Sequence, residues 1–278
     1  MHVFFTPRQV PEDGRGTLPE PTKPAAVVAS WQALPGLRIA VSEPRPCTER
    51  ELGRVHCPAY VRGLLRHGRA NGYGALSPQA ARALPWVVGS LVSAARHAAR
   101  TGQPAASPTG NLGLAGYDRG CAFCALNGLL VAAFALQAEG LATRVVIVDG
   151  DQHFGLGTAA ILARLAPRGI IHHSFGARRP RRQDAEAWLA AWPEQLDTLL
   201  AGADLLLYQA AVDPHVEDPL GGTLTTEQLA RRDHLVFARA RAWGVPVAWN
   251  LGGGYQTPLR RLLDLHDQTA LACNALHR

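Results

Sequence analysis

The sequence predicts an α/β protein, a single three-layer domain spanning residues 1–278, with a mostly parallel sheet covered by helices on both faces. Three observations lead there. From Arg144 onwards, short runs of Val, Ile and Leu alternate with helical stretches, the order that produces parallel strands joined by crossover helices. Those runs are continuously apolar, as strands buried on both sides are. No internal repeat and no long linker divides the 278 residues, a length that one large domain accommodates.

In chain order, a short strand is expected at His2–Phe5, followed by a proline-rich, irregular stretch to about residue 40. Two helical stretches come next, near Thr48–His67 and Ser77–Thr101. The second carries Ala and Leu at helical spacing, and Ser77 with Pro78 marks its start. The Gly- and Pro-rich segment Gly102–Gly120 reads as loop. A helix from about Cys124 to Glu139 is apolar nearly all round, hence buried. Arg144–Val148 reads as a strand, Thr158–Leu165 as a short helix and Gly169–His172 as the next strand. Asp184–Leu200 is an amphipathic helix with Asp184 as its N-cap. Strand Leu205–Tyr208, helix Thr226–Trp243 and strand Val245–Trp249 follow, and Pro258 opens a last helix.

Composition narrows the class. Hydrophobic residues make up 47% and charged residues 18%, values of a globular protein with a sizeable core. The longest apolar stretch, Cys121–Gln137, contains Asn127 and is too short to span a bilayer. Only Val3–Phe5 is apolar before Pro7 and Arg8, so no signal peptide is expected. Five cysteines, an odd number, do not make a disulfide framework, and a cytoplasmic location is expected. Lys and Arg exceed Asp and Glu by 28 to 22, a net +6 carried almost wholly by Arg. The densest basic cluster, Arg178, Arg179, Arg181 and Arg182, lacks interleaved aromatics and surrounds Pro180, so no nucleic-acid partner is expected.

Polar residues in the second half follow three strands, each at its carboxyl end: Asp149 to Gly155, Gln209 to His215, and Asn250 to Tyr255. In a parallel sheet these ends share one rim, where ligands bind. In an extended segment Asp151 and His153 point the same way while Gln152 faces away. A carboxylate and an imidazole suit zinc, three protein ligands leave a position open for chemistry, and Asp213 is the natural third. Asp149 lies on the same face and could orient a His or bind a monovalent cation. The same Asp-x-Asp-x-His pattern also serves simply to satisfy loop backbone.

These segments resemble the histone deacetylase and acetylpolyamine amidohydrolase family. Ile147–Thr158 (IVDGDQHFGLGT) is similar to its zinc loop, Ala210–Thr225 to its second metal segment, and Asn250–Gln256 (NLGGGYQ) to the Gly-Gly-Tyr loop carrying its catalytic tyrosine. Cys121–Gly128 (CAFCALNG) and Val55–Tyr60 (VHCPAY) resemble two of its helix motifs, in the same order along the chain. The resemblance implies the arginase/deacetylase fold and a single Zn²⁺ on Asp151, His153 and Asp213; a structural K⁺ or Na⁺ at Asp149 and Asp151 is an expectation from the face they share. It implies Tyr255 as the carbonyl-polarising residue, Phe123 as a tunnel wall, and Gly253 and Gly254 as the turn presenting Tyr255.

One departure stands out. The family's two adjacent histidines, its general acid–base pair, fall on Gly113 and Leu114 when counted back from Cys124. They fall on Asn111 and Leu112 when anchored on Pro108 and Gly110. Either way, no His occurs between His97 and His153. The polar residue that supports one of those histidines is Leu156 here. Removing both partners avoids leaving a buried polar group unpaired, which costs about 1–3 kcal/mol. His172 and His173, ending a strand on the same rim, are candidate replacement bases; His215 is expected to support Asp213. Cys121-x-x-Cys124 formally matches a redox or metal pair, but no second pair accompanies it.

The expectation is therefore a zinc-dependent deacylase-like amidohydrolase acting on a small-molecule or acyl-lysine substrate, with an atypical site. The alternative is a catalytically silent zinc protein that binds an acyl ligand or a protein partner.

Overall fold

The computed structural model describes residues 1–11, 22–66 and 77–276. Its centre is a seven-stranded sheet: β1 His2–Phe4, β2 Ala40–Ser42, β3 Ala105–Ser107, β4 Val145–Asp149, β5 Ile170–Ser174, β6 Leu205–Ala211 and β7 Val247–Gly252, in the order β2-β1-β3-β7-β6-β4-β5. Every pairing is parallel.

The helices are α1 Lys23–Ala33, α2 Glu49–Leu52, α3 Pro58–Arg66, α4 Pro78–Thr101, α5 Gly128–Ala138, α6 Leu156–Leu165, α7 Ala185–Leu200, α8 Thr226–Ala242 and α9 Leu259–Leu276. Alternate strand residues enter two cores, because successive side chains leave opposite faces of a strand. Val145, Ile147, Leu205 and Leu207 pack with α3, α4 and α5. Val146, Val148, Leu206, Tyr208 and Trp249 pack with α1, α7, α8 and α9. The sheet thus lies between two helical layers.

Several elements depart from expectation. Thr48–His67 is two helices, not one: Gly53 ends α2 and Pro58 opens α3. His67 lies outside the described residues. The expected loop Gly102–Gly120 contains β3, and the stretch expected to be irregular to about residue 40 contains α1 and runs into β2. The helix expected from Cys124 begins at Gly128, where the Asn127 side chain accepts the N–H of Leu130. Asp184 occupies the N-cap position of α7 without capping it through its side chain, and pairs instead with Arg181. Strands β6 and β7 run three residues beyond the expected Tyr208 and Trp249, so Gln209 and Asn250 are strand residues rather than loop.

That last difference matters, because register aligns polar residues across the sheet. Ser174, Asp149, Gln209, Asn250 and Ser107 are consecutive partners on β5, β4, β6, β7 and β3. They form one buried polar row toward the carboxyl ends of these strands. Gln209 Nε2 donates to Asp149 Oδ1 at 2.7 Å, and Asn250 Nδ2 to Gln209 Oε1 at 3.2 Å.

The loop from Asn111 to Ala115 is pinned against this rim by α6. A Cβ on Gly157 would lie 2.3 Å from the carbonyl oxygens of both Leu114 and Ala115. Backbone cannot retreat as a side-chain tip can. Gly157→Ala is therefore expected to lower the unfolding free energy by about 1–3 kcal/mol, as overpacking does. A urea melt with an unchanged midpoint would contradict this close approach.

Candidate metal centre

Asp149 ends β4, and the chain turns at Gly150 into Asp151, Gln152 and His153. A Cβ on Gly150 would sit 2.9 Å from the Gln209 carbonyl oxygen, so glycine lets this turn lie against β6. Asp149 Oδ1 accepts the N–H of Asp151 at 3.1 Å. Asp213 leaves the end of β6, and Gln152 N donates to its Oδ1 at 3.2 Å. The two loops are thereby tied side by side.

The outcome is a compact donor set. His153 Nδ1 lies 3.0 Å from Asp151 Oδ1 and 3.1 Å from Asp213 Oδ2. One ligand atom from each of the three residues lies within 4.8 Å of the others, a group able to hold a metal ion. Asp151 and Asp213 are buried, while the His153 side chain is 44% exposed. The centre is closed behind and open in front.

Electrostatics follow from that geometry. Hydrogen bonds to Asp151 and then Asp213 push the His153 imidazole up to about 10. Burial, with the negative charge of Asp151 beside it, holds the Asp213 carboxyl well above the usual carboxylate range. Both shifts express one excess of negative charge that a proton or a cation must offset.

Behind the centre, fully buried Arg232 from α8 donates to the carbonyls of Gly150 at 3.1 Å and Ala211 at 2.7 Å and pairs with Asp233. The side chain of Lys23, at the start of α1, donates to the carbonyls of Gly252 and Gly253 at 3.1 and 2.9 Å. Gly253 abuts Asp213, where a Cβ would meet the carboxylate at 2.4 Å, and Gly254 has φ +101°. Only glycine suits that sequence of contacts. The turn brings out Tyr255, whose N–H donates to Asp218 Oδ2 at 2.8 Å. The Tyr255 ring faces Phe123 with centroids 6.3 Å apart.

Phe123 is carried by a tight turn in which Cys121 and Cys124 exchange both backbone hydrogen bonds, with Ala122 and Phe123 at positive φ. His56 and Tyr60 grip this region. Neutral His56 donates from Nδ1 to Gly116 O and accepts the N–H of Asn127 at Nε2, and burial pushes its imidazole down to about 4. Tyr60 donates to Ala125 O at 2.6 Å.

The positions expected to carry a base are now distinguishable. Asn111, not Gly113 or Leu114, touches the donor set: its Nδ2 lies 2.5 Å from Asp151 Oδ2. Gly113 sits against Asp149 Oδ2, and Leu114 packs its carbonyl against Gly157. Leu112 donates its N–H to Gln209 and lays its side chain over Gly128. His172 and His173 diverge as neighbours on a strand must. His172 Nε2 is 3.7 Å from Asp149 Oδ2, whereas His173 packs on Trp192 and is pushed down to about 4 by burial. His215 bonds to Thr226 and Gln256 rather than to Asp213. Leu156 is 59% exposed. Among the basic cluster, Arg179 reaches the Gln152 carbonyl at 3.3 Å and Arg181 pairs with Asp184. Arg232, Lys23 and Asp218 carry contacts that no motif singled out.

A parallel sheet with buried carboxylates and an imidazole at one carboxyl rim places a candidate ligand site at that rim. The family model "Histone deacetylase domain" matches residues 19–175, and the chain belongs to the histone deacetylase family. It is 32% identical over 240 residues to an uncharacterised protein of Picosynechococcus sp. strain PCC 7002, covering 76% of this chain and 77% of that protein. Among solved structures, the HDA15 HD domain superposes with a TM-score of 0.78 at 21% identity, over 99% of this chain and 89% of that one. The acetylpolyamine aminohydrolase from Burkholderia pseudomallei superposes with a TM-score of 0.74 at 20% identity, over 99% of both chains. At these identities the two structures share the fold. No helix among the described residues is long and apolar enough to cross a membrane.

Two outcomes test this electrostatic arrangement. A histidine whose pKa is raised on folding stabilises fully below its unfolded value near 6.5 and loses that contribution as pH climbs through its folded value. The urea midpoint of the metal-free protein is therefore expected to fall between pH 6.5 and about 10, with His153→Ala flattening the decline. Arg232→Met strands Asp233 and two carbonyls and is expected to cost about 3–5 kcal/mol; a chain that tolerates it has another way of holding the two loops.

Proposed function

We propose that the chain is a zinc-dependent deacylase-like amidohydrolase acting on an acylated amine, with a site that works without a histidine base. The observation that carries this is the donor set of Asp151, His153 and Asp213, one atom of each within 4.8 Å of the others. Two carboxylates and one imidazole with an exposed front fit zinc as a catalytic rather than a structural ion. When bound, zinc there supplies Lewis-acid chemistry, polarising an amide carbonyl and acidifying water near neutral pH.

The chain's own residues supply the rest. Asn111 fixes Asp151 in orientation through its amide. Tyr255, on its turn between Lys23 and Asp218, supplies a hydroxyl to the oxygen that gains charge as the amide is attacked. Phe123, facing Tyr255, walls the approach to the centre. Asp149 holds the Asp151 backbone in place, and a monovalent cation at Asp149 and Asp151 would relieve the remaining negative charge. A positioned general base contributes about 10²–10⁴-fold, so turnover is expected to be slow on unactivated amides and faster on esters and thioesters.

The Asn111 amide also favours a second reading: an amide cannot take a proton from water at neutral pH, so the chain would hold zinc and an acyl ligand without turning it over. The deciding experiment uses zinc-loaded protein with acetyl-lysine, acetylpolyamine and thioester substrates. Asp213→Ala is expected to lose both zinc and activity. Tyr255→Phe is expected to keep zinc while kcat falls about 10²–10³-fold, as when an oxyanion donor is removed. Zinc-loaded wild type no faster than Asp213→Ala decides for the silent protein.

A further inference from the structure

A small cavity shares a wall with the candidate metal centre. Asn111, Phe123 and Cys124 line it on that side, and they include the amide that contacts Asp151 and the ring that faces Tyr255. The opposite wall is apolar, with Leu84, Val88 and Leu126 among its residues. Its volume is about 40 Å³, room for about three water-sized groups at roughly 10–15 Å³ each.

One polar group in the wall is unexplained. Gln9, 1% exposed, lines this cavity. Its Oε1 accepts the N–H of Thr6 at 2.8 Å, which fixes the way its amide faces. Its Nε2 has no hydrogen-bond partner among the described residues. A buried donor left unpaired costs about 1–3 kcal/mol, and flipping the amide would break the Thr6 bond and present an equally unpaired oxygen. The buried hydroxyl of Thr109 also borders the cavity and is linked to Ser107. The space is therefore apolar on one wall, with a fixed donor among its polar lining residues.

We propose that this cavity receives the acyl part of the substrate, and that Gln9 selects short acyl chains of three or four carbons bearing a hydroxyl or carbonyl oxygen. The inference rests on the reading of the centre as an acyl-amine site. Acetyl is too short to fill the cavity and brings no acceptor beyond the carbonyl being attacked. A plain butanoyl chain fills it and leaves Gln9 Nε2 unpaired. A 3-hydroxybutanoyl chain fills it and supplies the missing acceptor. Gln9 is then a specificity-determining residue set in the short turn Pro7–Gln9, far in sequence from every metal-ligand candidate.

The test has a binding arm that needs neither metal nor turnover. Full-length protein labelled with ¹⁵N-glutamine is titrated with butanamide and with 3-hydroxybutanamide. The hydroxylated amide is expected to bind about 3- to 10-fold more tightly, the worth of one hydrogen bond, and to shift the Gln9 side-chain amide signal. Gln9→Met is expected to abolish that preference without weakening butanamide. Equal affinities on the wild-type protein, or binding that leaves the Gln9 signal unmoved, overturn the proposal whether or not the variant folds. In the second arm, zinc-loaded protein is given acetyl-, butanoyl- and 3-hydroxybutanoyl-lysine amides, and kcat/KM is expected to be highest for the last. No turnover alongside an intact binding preference defeats the hydrolase reading and leaves the pocket assigned. Turnover that favours acetyl defeats the pocket.

Discussion

Two carboxyl groups sealed from water lie within hydrogen-bond reach of one imidazole, and the surrounding architecture exists to keep them there. Carboxylates this close repel one another strongly in a medium of low dielectric. Asp151 and Asp213 approach because backbone N–H groups, the Asn111 amide and His153 each take part of their charge. Behind them Arg232 binds the carbonyls of Gly150 and Ala211, before Asp151 and Asp213, so one guanidinium fixes the spacing of β4 and β6 at their ends. Lys23 does the same for β7 from the opposite helical layer to α4 and α5. Both cations are almost wholly buried, which water would oppose unless their donors were well used.

The sheet contributes through register. A buried polar row at a single level, from Ser174 to Ser107, closes the apolar core and opens the rim. Below that level β3, β4, β6 and β7 are apolar, whereas β5 carries His172 and His173. Gln209 is the hinge of this row, because it joins Asp149, Asn250 and the N–H of Leu112. Strand pairing, loop placement and carboxylate orientation are thus one connected hydrogen-bond system.

Much of this was legible in the sequence. The β4 and β6 strands announce themselves as Val, Ile and Leu runs and β7 as the apolar Val247–Trp249, and the three polar clusters behind them converge as their shared direction requires. Short elements were not legible. Strand β3 is three residues, Ala105–Ser107, in a Gly- and Pro-rich stretch, and β2 is equally brief; neither is long enough to show a period. Gly53 and Pro58 divide a stretch whose apolar spacing suggested one helix. Counting back from Cys124 leads to Gly113 and Leu114, which lie against Asp149 and Gly157, and the anchor at Pro108 and Gly110 leads to Asn111, which touches Asp151. Lys23 and Arg232 gave no signal at all: a single basic residue in a helix says nothing about which carbonyl it will find.

The contact between Asn111 and Asp151 has a wider consequence. An imidazole in that place would change its charge within the physiological range, and everything nearby would feel the change. A carboxamide is neutral from acid to alkali. The Asn111 neighbour of Asp151 is therefore a constant dipole, and an acid–base response at the centre draws on His153 and Asp213, whose protonation this geometry shifts.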